Sequence, residues 1–212
     1  MKLTTAIAQL GDAALSVVAP SVARSRTEQP RHDVLISEEP FQLRRYAPML
    51  VAEITVAGDR RDAANTAFRP LADYIFATRR EGPEIAMTTP VTQAAEGADP
   101  IMTVSGGGTA AGRYTVRFAM PREWTEDTLP APTDPNIAIR GIPAREMAVV
   151  TFSGRATDEA VRDRAEELRR FMKRHDLVGD GTVEYAYYDP PMTPPPLRRN
   201  EVMMGVRRSE PA

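Results

Sequence analysis

The sequence predicts an α+β fold assembled from two copies of a strand–helix–strand–strand unit, and three observations predict it. Glu84–Pro90 reads EIAMTTP and Glu184–Pro190 reads EYAYYDP, so Glu, Ala and Pro recur at the same offsets. Upstream, VAEITVAG (Val51–Gly58) aligns with MAVVTFSG (Met147–Gly154), and a stretch with helical spacing follows each. Downstream, the alternating run around Tyr114–Val116 matches another around Asn200–Val202. A duplicated chain builds two related halves, and the crevice between halves is a natural ligand site.

In chain order, residues 1–33 are expected to form an N-terminal amphipathic helix and a linker. Ile7, Leu10, Ala14 and Val17 or Val18 follow helical spacing, and Ser25–Asp33 is polar. Phe41–Arg44 alternates, and Leu50, Ala52, Ile54 and Val56 place one face of a second strand in a core, with Gly58-Asp59 ending it. Ala64, Ala67, Phe68, Leu71, Tyr74 and Ile75 then give a first amphipathic helix. Pro70 inside it removes a backbone donor and is expected to bend the helix or loosen its first half. Ile85–Met87 is expected to be a short strand ending at Pro90.

Residues 94–112 are rich in Ala and Gly and read as a flexible hairpin connection, with Ile101–Val104 as an edge strand. The Gly106–Gly108 triplet lacks the GK[ST] signature and the following helix that a phosphate loop needs. Tyr114–Met120 is a strand stopped by Pro121, and Leu129–Pro135 (LPAPTDP) is a stiff surface excursion. The second half runs from a strand at Ala148–Phe152 to a helix capped by Thr157, with Asp158 and Glu159 at its positive end. Val161, Ala165, Leu168 and Phe171 make its buried stripe, and Lys173, Arg174 and His175 suit its negative end. Strands at Val183–Tyr188 and Glu201–Val206 follow, separated by a proline-rich turn.

Composition narrows the function. The 212 residues carry a formal net charge of −2 with no basic stripe, so no nucleic-acid partner is expected. With no cysteine, disulfides, thiolate metal ligands and a cysteine nucleophile are excluded. Two histidines, His32 and His175, leave little material for a histidine-rich metal site or a Ser-His-Asp triad. No stretch is long enough to span a membrane. A cytoplasmic location is expected, with a periplasmic one as the alternative because Ser21-Val22-Ala23 resembles an export cleavage site.

Three segments carry a family resemblance: IAMTTPV (Ile85–Val91), YDPPM (Tyr188–Met192) and RRNEV (Arg198–Val202), with LPAPTDP and FRPLADYI (Phe68–Ile75) fitting the same pattern. In this order and spacing they resemble the SOUL haem-binding protein family, from about Glu39 to Val206. The resemblance implies one domain over 34–208, with a tail at 209–212. It implies a distorted antiparallel β-barrel flanked by two helices, made from two pseudo-symmetric βαββ halves at about 39–120 and 137–206. It also implies binding of haem or a related tetrapyrrole, as buffer or carrier, in an apolar groove beside the first helix.

On that implication Phe68, Leu71, Ala72 and Ile75 supply the helix part of the wall, and Met87 or Met192 adds soft contacts. Arg198 or Arg199 meets the propionates. The competing readings are plain core for the helix stripe and Met87, ion pairs or exposure for the arginines, and a turn fixed by Asn200 bonding its own backbone. His32 and His175 are the histidine candidates for an axial ligand. Methionine, tyrosine or no protein ligand are the alternatives. One departure is that animal relatives tend to carry basic residues on the first helix, where this chain has Asn65 and Asp73.

A second reading is an enzyme. The architecture also resembles small-molecule effector-binding domains, some of whose relatives hydrolyse ligands with a Glu assisted by a Tyr. Glu184 with Tyr185 or Tyr187, or Glu84, are the candidates for such a base. Against this, both glutamates are expected at strand starts facing water. A third reading is an interaction module using the N-terminal helix.

Overall fold

A computed structural model describes residues 27–97 and 112–207. The expected N-terminal helix, the Gly106–Gly108 connection and the Ile101–Val104 edge strand lie outside the described residues. In chain order the elements are β1 (His32–Glu38), β2 (Phe41–Tyr46), β3 (Met49–Gly58), α1 (Arg60–Ile75), β4 (Val91–Ala95) and β5 (Gly112–Ala119). There follow β6 (Ala138–Ile142), β7 (Arg145–Phe152), α2 (Asp158–Arg174), β8 (Val178–Tyr187), a 3-10 turn at Pro195–Leu197, and β9 (Asn200–Arg207).

The strands form one 9-stranded sheet in the order β1-β2-β7-β9-β8-β4-β5-β3-β6, and every pairing within it is antiparallel. The sheet is open, which corrects the expected barrel: among the described residues β1 pairs only with β2, and β6 only with β3. Each edge carries exposed charge, Asp33 and Glu38 on one and Arg140 on the other, and charged edges resist further pairing. The strands around each helix occupy one block of the sheet, β4-β5-β3 for α1 and β8-β9-β7 for α2. The blocks meet where Gln93 lies opposite Tyr185.

Both helices start as their sequences predict. Asp59 accepts the Asp62 N–H at 2.9 Å and Thr157 accepts the Ala160 N–H at 3.2 Å, each satisfying an orphan donor of a first turn. α1 runs through Pro70 without a break, and it buries Ala63, Ala67, Leu71, Tyr74 and Ile75. That stripe packs on Ala52 and Ile54 of β3 and Val116 and Phe118 of β5. α2 buries Val161, Ala165, Leu168 and Phe171 against Ala148, Val150, Tyr185, Val202 and Met204. Arg60 joins the two helices by donating to Asp158 at 2.7 Å and to the Ala156 carbonyl.

Two expectations fail for identifiable reasons. Ile85–Met87 is not a strand: Ile85 is buried beneath the end of α1, where its N–H bonds the Ile75 carbonyl at 2.7 Å, and apart from an isolated bridge between Thr88 and Glu28 pairing begins beyond Pro90. Proline lacks the donor that a central strand needs, so the strand starts after it. EIAMTTP and EYAYYDP therefore share letters but not conformation. Residues 32–33, read as the end of a linker, instead open β1, whose pattern is hidden because Val34 and Leu35 are 47% and 39% exposed.

Candidate functional site

Successive strand residues point to opposite faces, and here the two faces differ in chemistry. The odd or even set that packs on the helices is apolar. The other set carries a third cluster, Tyr46, Met147, Val149, Ala186, Tyr188 and Met203, and most of the buried charge. Glu53 of β3, Arg117 of β5, Arg140 of β6, Arg145 of β7, Glu184 of β8 and Glu201 of β9 all project from this face, as does Arg44 of β2.

These residues pair in two chains. Arg44, 3% exposed, grips Glu201 through both terminal nitrogens at 3.1 Å. Glu201 also receives Arg199 at 2.7 Å, the Tyr188 hydroxyl at 2.7 Å and Thr151 at 3.1 Å. Arg199 lies over the Tyr188 ring at 4.0 Å, an additional cation–π contact. In the second chain, Arg145 holds Glu184 at 2.7 and 2.9 Å, and Arg117 bridges Glu184 at 3.3 Å to Glu53 at 2.7 Å. Arg140 lies 3.6 Å from Glu53.

Burial alone would raise the Glu201 carboxyl, but the guanidinium groups of Arg44 and Arg199 outweigh it and hold the carboxyl below its usual range. Burial raises the Tyr188 hydroxyl well above its ordinary value, and the Glu201 carboxylate pushes the same way. Burial, with Arg44 beside it, lowers the His32 imidazole.

Two hollows adjoin here: the inner one lies on the charged face, and the outer one, at the strand ends, takes walls from both sides of the sheet. An outer cleft of about 560 Å³ lies at the ends of β3, β5 and β6, with Met49, Leu50, Met120, Trp124 and Ile142 among its walls. An inner cavity of about 30 Å³ reaches Arg117, Arg145, Glu184, His32, Tyr46 and Tyr188. Both are lined by Gln29, Pro30, Met49, Ala119 and Ile142. The segment before β1 therefore crosses between them. It is strapped down by the Thr89 N–H on the Glu28 carbonyl at 2.9 Å and by Arg122 on the Glu28 carboxylate at 2.8 Å.

His32 has a defined tautomer. Its Nδ1 lies 3.2 Å from the Pro30 carbonyl oxygen, which can only accept, so Nδ1 carries the proton and Nε2 keeps its lone pair. The ring packs on Tyr46 at 5.0 Å. His175 is placed otherwise: it caps α2, with Nε2 2.8 Å from Glu38 and its ring 4.7 Å from Phe171. Among the described residues no group of three or more histidine, aspartate or glutamate side chains is arranged to hold a metal.

The expected helix wall is divided by the fold. Leu71 and Ile75 are 0% and 1% exposed in the core beneath α1, Ala72 is half-buried, and Phe68 is 40% exposed with its ring edge-on to Phe118 at 5.3 Å. Met87 is partly buried against the same core, and Met192 is exposed. Arg198 donates to the Thr193 carbonyl at 2.7 Å and to the Pro191 carbonyl, fixing the proline-rich turn. Asn200 reaches the Gly154 carbonyl at 3.1 Å rather than its own backbone.

Of the catalytic candidates, Glu84 is exposed, whereas Glu184 is 1% exposed, contrary to the expectation that both face water. Tyr185 and Tyr187 cannot assist Glu184, because one-residue and three-residue offsets put them on the helix face. There the Tyr187 hydroxyl meets Arg60 and Gln93. The tyrosines on the Glu184 face are Tyr46 and Tyr188. Sequence reasoning missed Arg44, Arg117, Arg145 and Trp124. The usable signal for the three arginines is a charged residue at the inward parity of an otherwise apolar strand.

The fold recurs in solved structures of low sequence identity. The C-terminal domain of EcmrR superposes with a TM-score of 0.60 at 10% identity, covering 80% of this chain and 98% of that one. A hydrolase from Listeria innocua gives 0.55 at 15% identity, covering 82% and 94%. An uncharacterized conserved protein from the same organism gives 0.55 at 14% identity, covering 85% and 93%. At such identities the likeness is one of fold. No curated protein sequence matches the chain. The family model described as SOUL heme-binding protein matches residues 27–205, nearly all of the described structure. The chain belongs to the SOUL heme-binding protein family.

Proposed function

We propose that this chain binds haem or a related tetrapyrrole, as a buffer or carrier, in the outer cleft at the ends of β3, β5 and β6. The observation that carries the reading is the cleft itself. Its volume of about 560 Å³ falls within the range of roughly 300–1,000 Å³ typical of small-molecule sites, and Met49, Leu50, Met120, Ile142 and Trp124 make its walls apolar. Membership of the family supports the ligand class. Burial of the macrocycle against these side chains supplies the affinity, at roughly 25 cal/mol per Å² of apolar surface. Haem, when bound, supplies an iron centre whose chemistry depends on its axial ligand and surroundings. His32, which lines the adjoining inner cavity and whose Nε2 has no partner among the described residues, is the imidazole suited to hold it. We read the two sheet blocks as products of duplication, with the ligand held within the β4-β5-β3 side rather than at their junction.

A seat beside α1 retains Phe68, Ala72 and Met87, since Leu71 and Ile75 are committed to the core. The two seats separate in a hemin titration followed at the Soret band. Met49→Asp is expected to weaken binding at least tenfold and Phe68→Asp to leave it within about twofold; the reverse pattern would place the ligand beside the helix. The hydrolytic reading is less well supported, because both oxygens of the Glu184 carboxylate are engaged by Arg145.

A further inference from the structure

His32 lines the inner cavity but not the outer cleft, and Gln29 and Pro30 wall both hollows. At about 30 Å³ the inner cavity has room for little more than a water molecule, so a ligand body in the outer cleft reaches His32 only if those two residues move. Their attachments are uneven. Downstream, the Ala47 N–H bonds the Arg31 carbonyl at 2.9 Å, and β1 begins its pairing with β2 at His32. Upstream the chain is held through Glu28. Its carbonyl receives the Thr89 N–H at 2.9 Å, and one carboxylate oxygen receives the Arg122 backbone N–H at 3.1 Å and the Arg122 side chain at 2.8 Å. The Glu28 and Arg122 side chains are 32% and 61% exposed, and an ion pair so open to water is weak and screened by salt. Between the two ends, proline fixes its own φ and confines Gln29 to extended backbone, so the pair moves as a stiff unit. The Pro30 carbonyl accepts from His32 Nδ1 at 3.2 Å, which ties the imidazole to the same segment.

We propose that Glu28–Pro30 is a latched strap. Closed, it screens His32 from the outer cleft; release of the Glu28 carboxylate from Arg122 lifts it and joins the two hollows into one pocket. The strap pivots at Arg31, where the bond to Ala47 and the β1 ladder hold, and opens from the Glu28 end. Arg122 sits in sequence between Met120 and Trp124, both walls of the outer cleft, so the cleft and the latch share one wall. Lifting withdraws the Pro30 carbonyl from Nδ1 and turns the Nε2 side of the ring toward the cleft. Glu28 acts on His32 through the strap, as a positioning residue. Only the occupant of the joined pocket rests on the tetrapyrrole reading above; the strap is a property of the chain alone.

The test uses the full chain without ligand, modified by diethyl pyrocarbonate and read by peptide mass spectrometry at its two histidines. In Glu28→Ala, His32 is expected to react roughly fivefold faster than in the parent, the factor that loss of an exposed ion pair can supply. His175, held by Glu38 at the end of α2, is expected to keep its rate. An unchanged His32 rate overturns the strap, and so does an equal rise at both histidines, which reports a general loosening. Amide exchange gives a second reading. Thr89, bonded to Glu28, is expected to exchange faster in the variant while Ile85, bonded to Ile75, is unchanged; equal Thr89 rates in the two proteins overturn the latch. Hemin titration of both proteins separates this proposal from the one it adjoins. A faster His32 with no hemin binding overturns the tetrapyrrole reading and leaves the strap standing, and hemin binding with an unchanged His32 rate does the reverse.

Discussion

Arg44 holds its charge where water reaches almost none of it, and Glu201 is what makes that position tenable. Removing one partner of a buried pair leaves the other uncompensated, so Glu201→Ala is expected to destabilise the protein by about 3–5 kcal/mol in urea unfolding. The same carboxylate sets part of the acid limit. Its folded-state value lies below the ordinary 4.5, so its contribution is present above that pH and is lost as pH falls through the folded value. His32 acts over a higher window. Its folded-state value lies below 6.5, so the folded state takes up its proton less readily than the unfolded chain, and stability is lost as pH falls below 6.5. In His32→Gln, the plot of Tm against pH should be flatter between pH 6.5 and 5 than in the parent; an unchanged slope would show that His32 is not a source of it.

The helices were legible because a 3.6-residue apolar period and a capping side chain are both local signals. Thr157→Ala is expected to cost about 1 kcal/mol, and Leu71→Ala, which opens a cavity in a fully buried site, about 2–5 kcal/mol, both measured by urea unfolding. The edge strands were illegible for the opposite reason. β1 is exposed on both faces, and β6 alternates over only five residues, so neither shows a buried stripe. At Ile85 the apolar residue that suggested a strand serves instead to plug the space under the end of α1. The repeated Glu–Ala–Pro spacing misled because a strand and an irregular segment can carry the same three letters.

At the scale of the molecule, the sheet divides into an apolar helix side and a far side that carries most of the buried charge. The apolar stripe of α1 told which side of the helix is buried, but Leu71 and Ile75 bury against the sheet rather than a ligand. The far-side charged cluster takes Arg44, Arg117, Arg145, Glu184 and Glu201 from five different strands, so no contiguous motif announces it. Only the motifs that carry the family resemblance reached across that distance, and they identified the family without placing a site. The most direct measurement of the proposed seat uses the paramagnetism of ferric haem on protein labelled at its methionine methyl groups. With one equivalent of hemin, the account predicts that Met49 and Met120 resonances broaden strongly, while Met172, buried on α2, keeps its linewidth. Broadening centred on Met87 with Met49 unaffected would contradict it and return the ligand to the helix side.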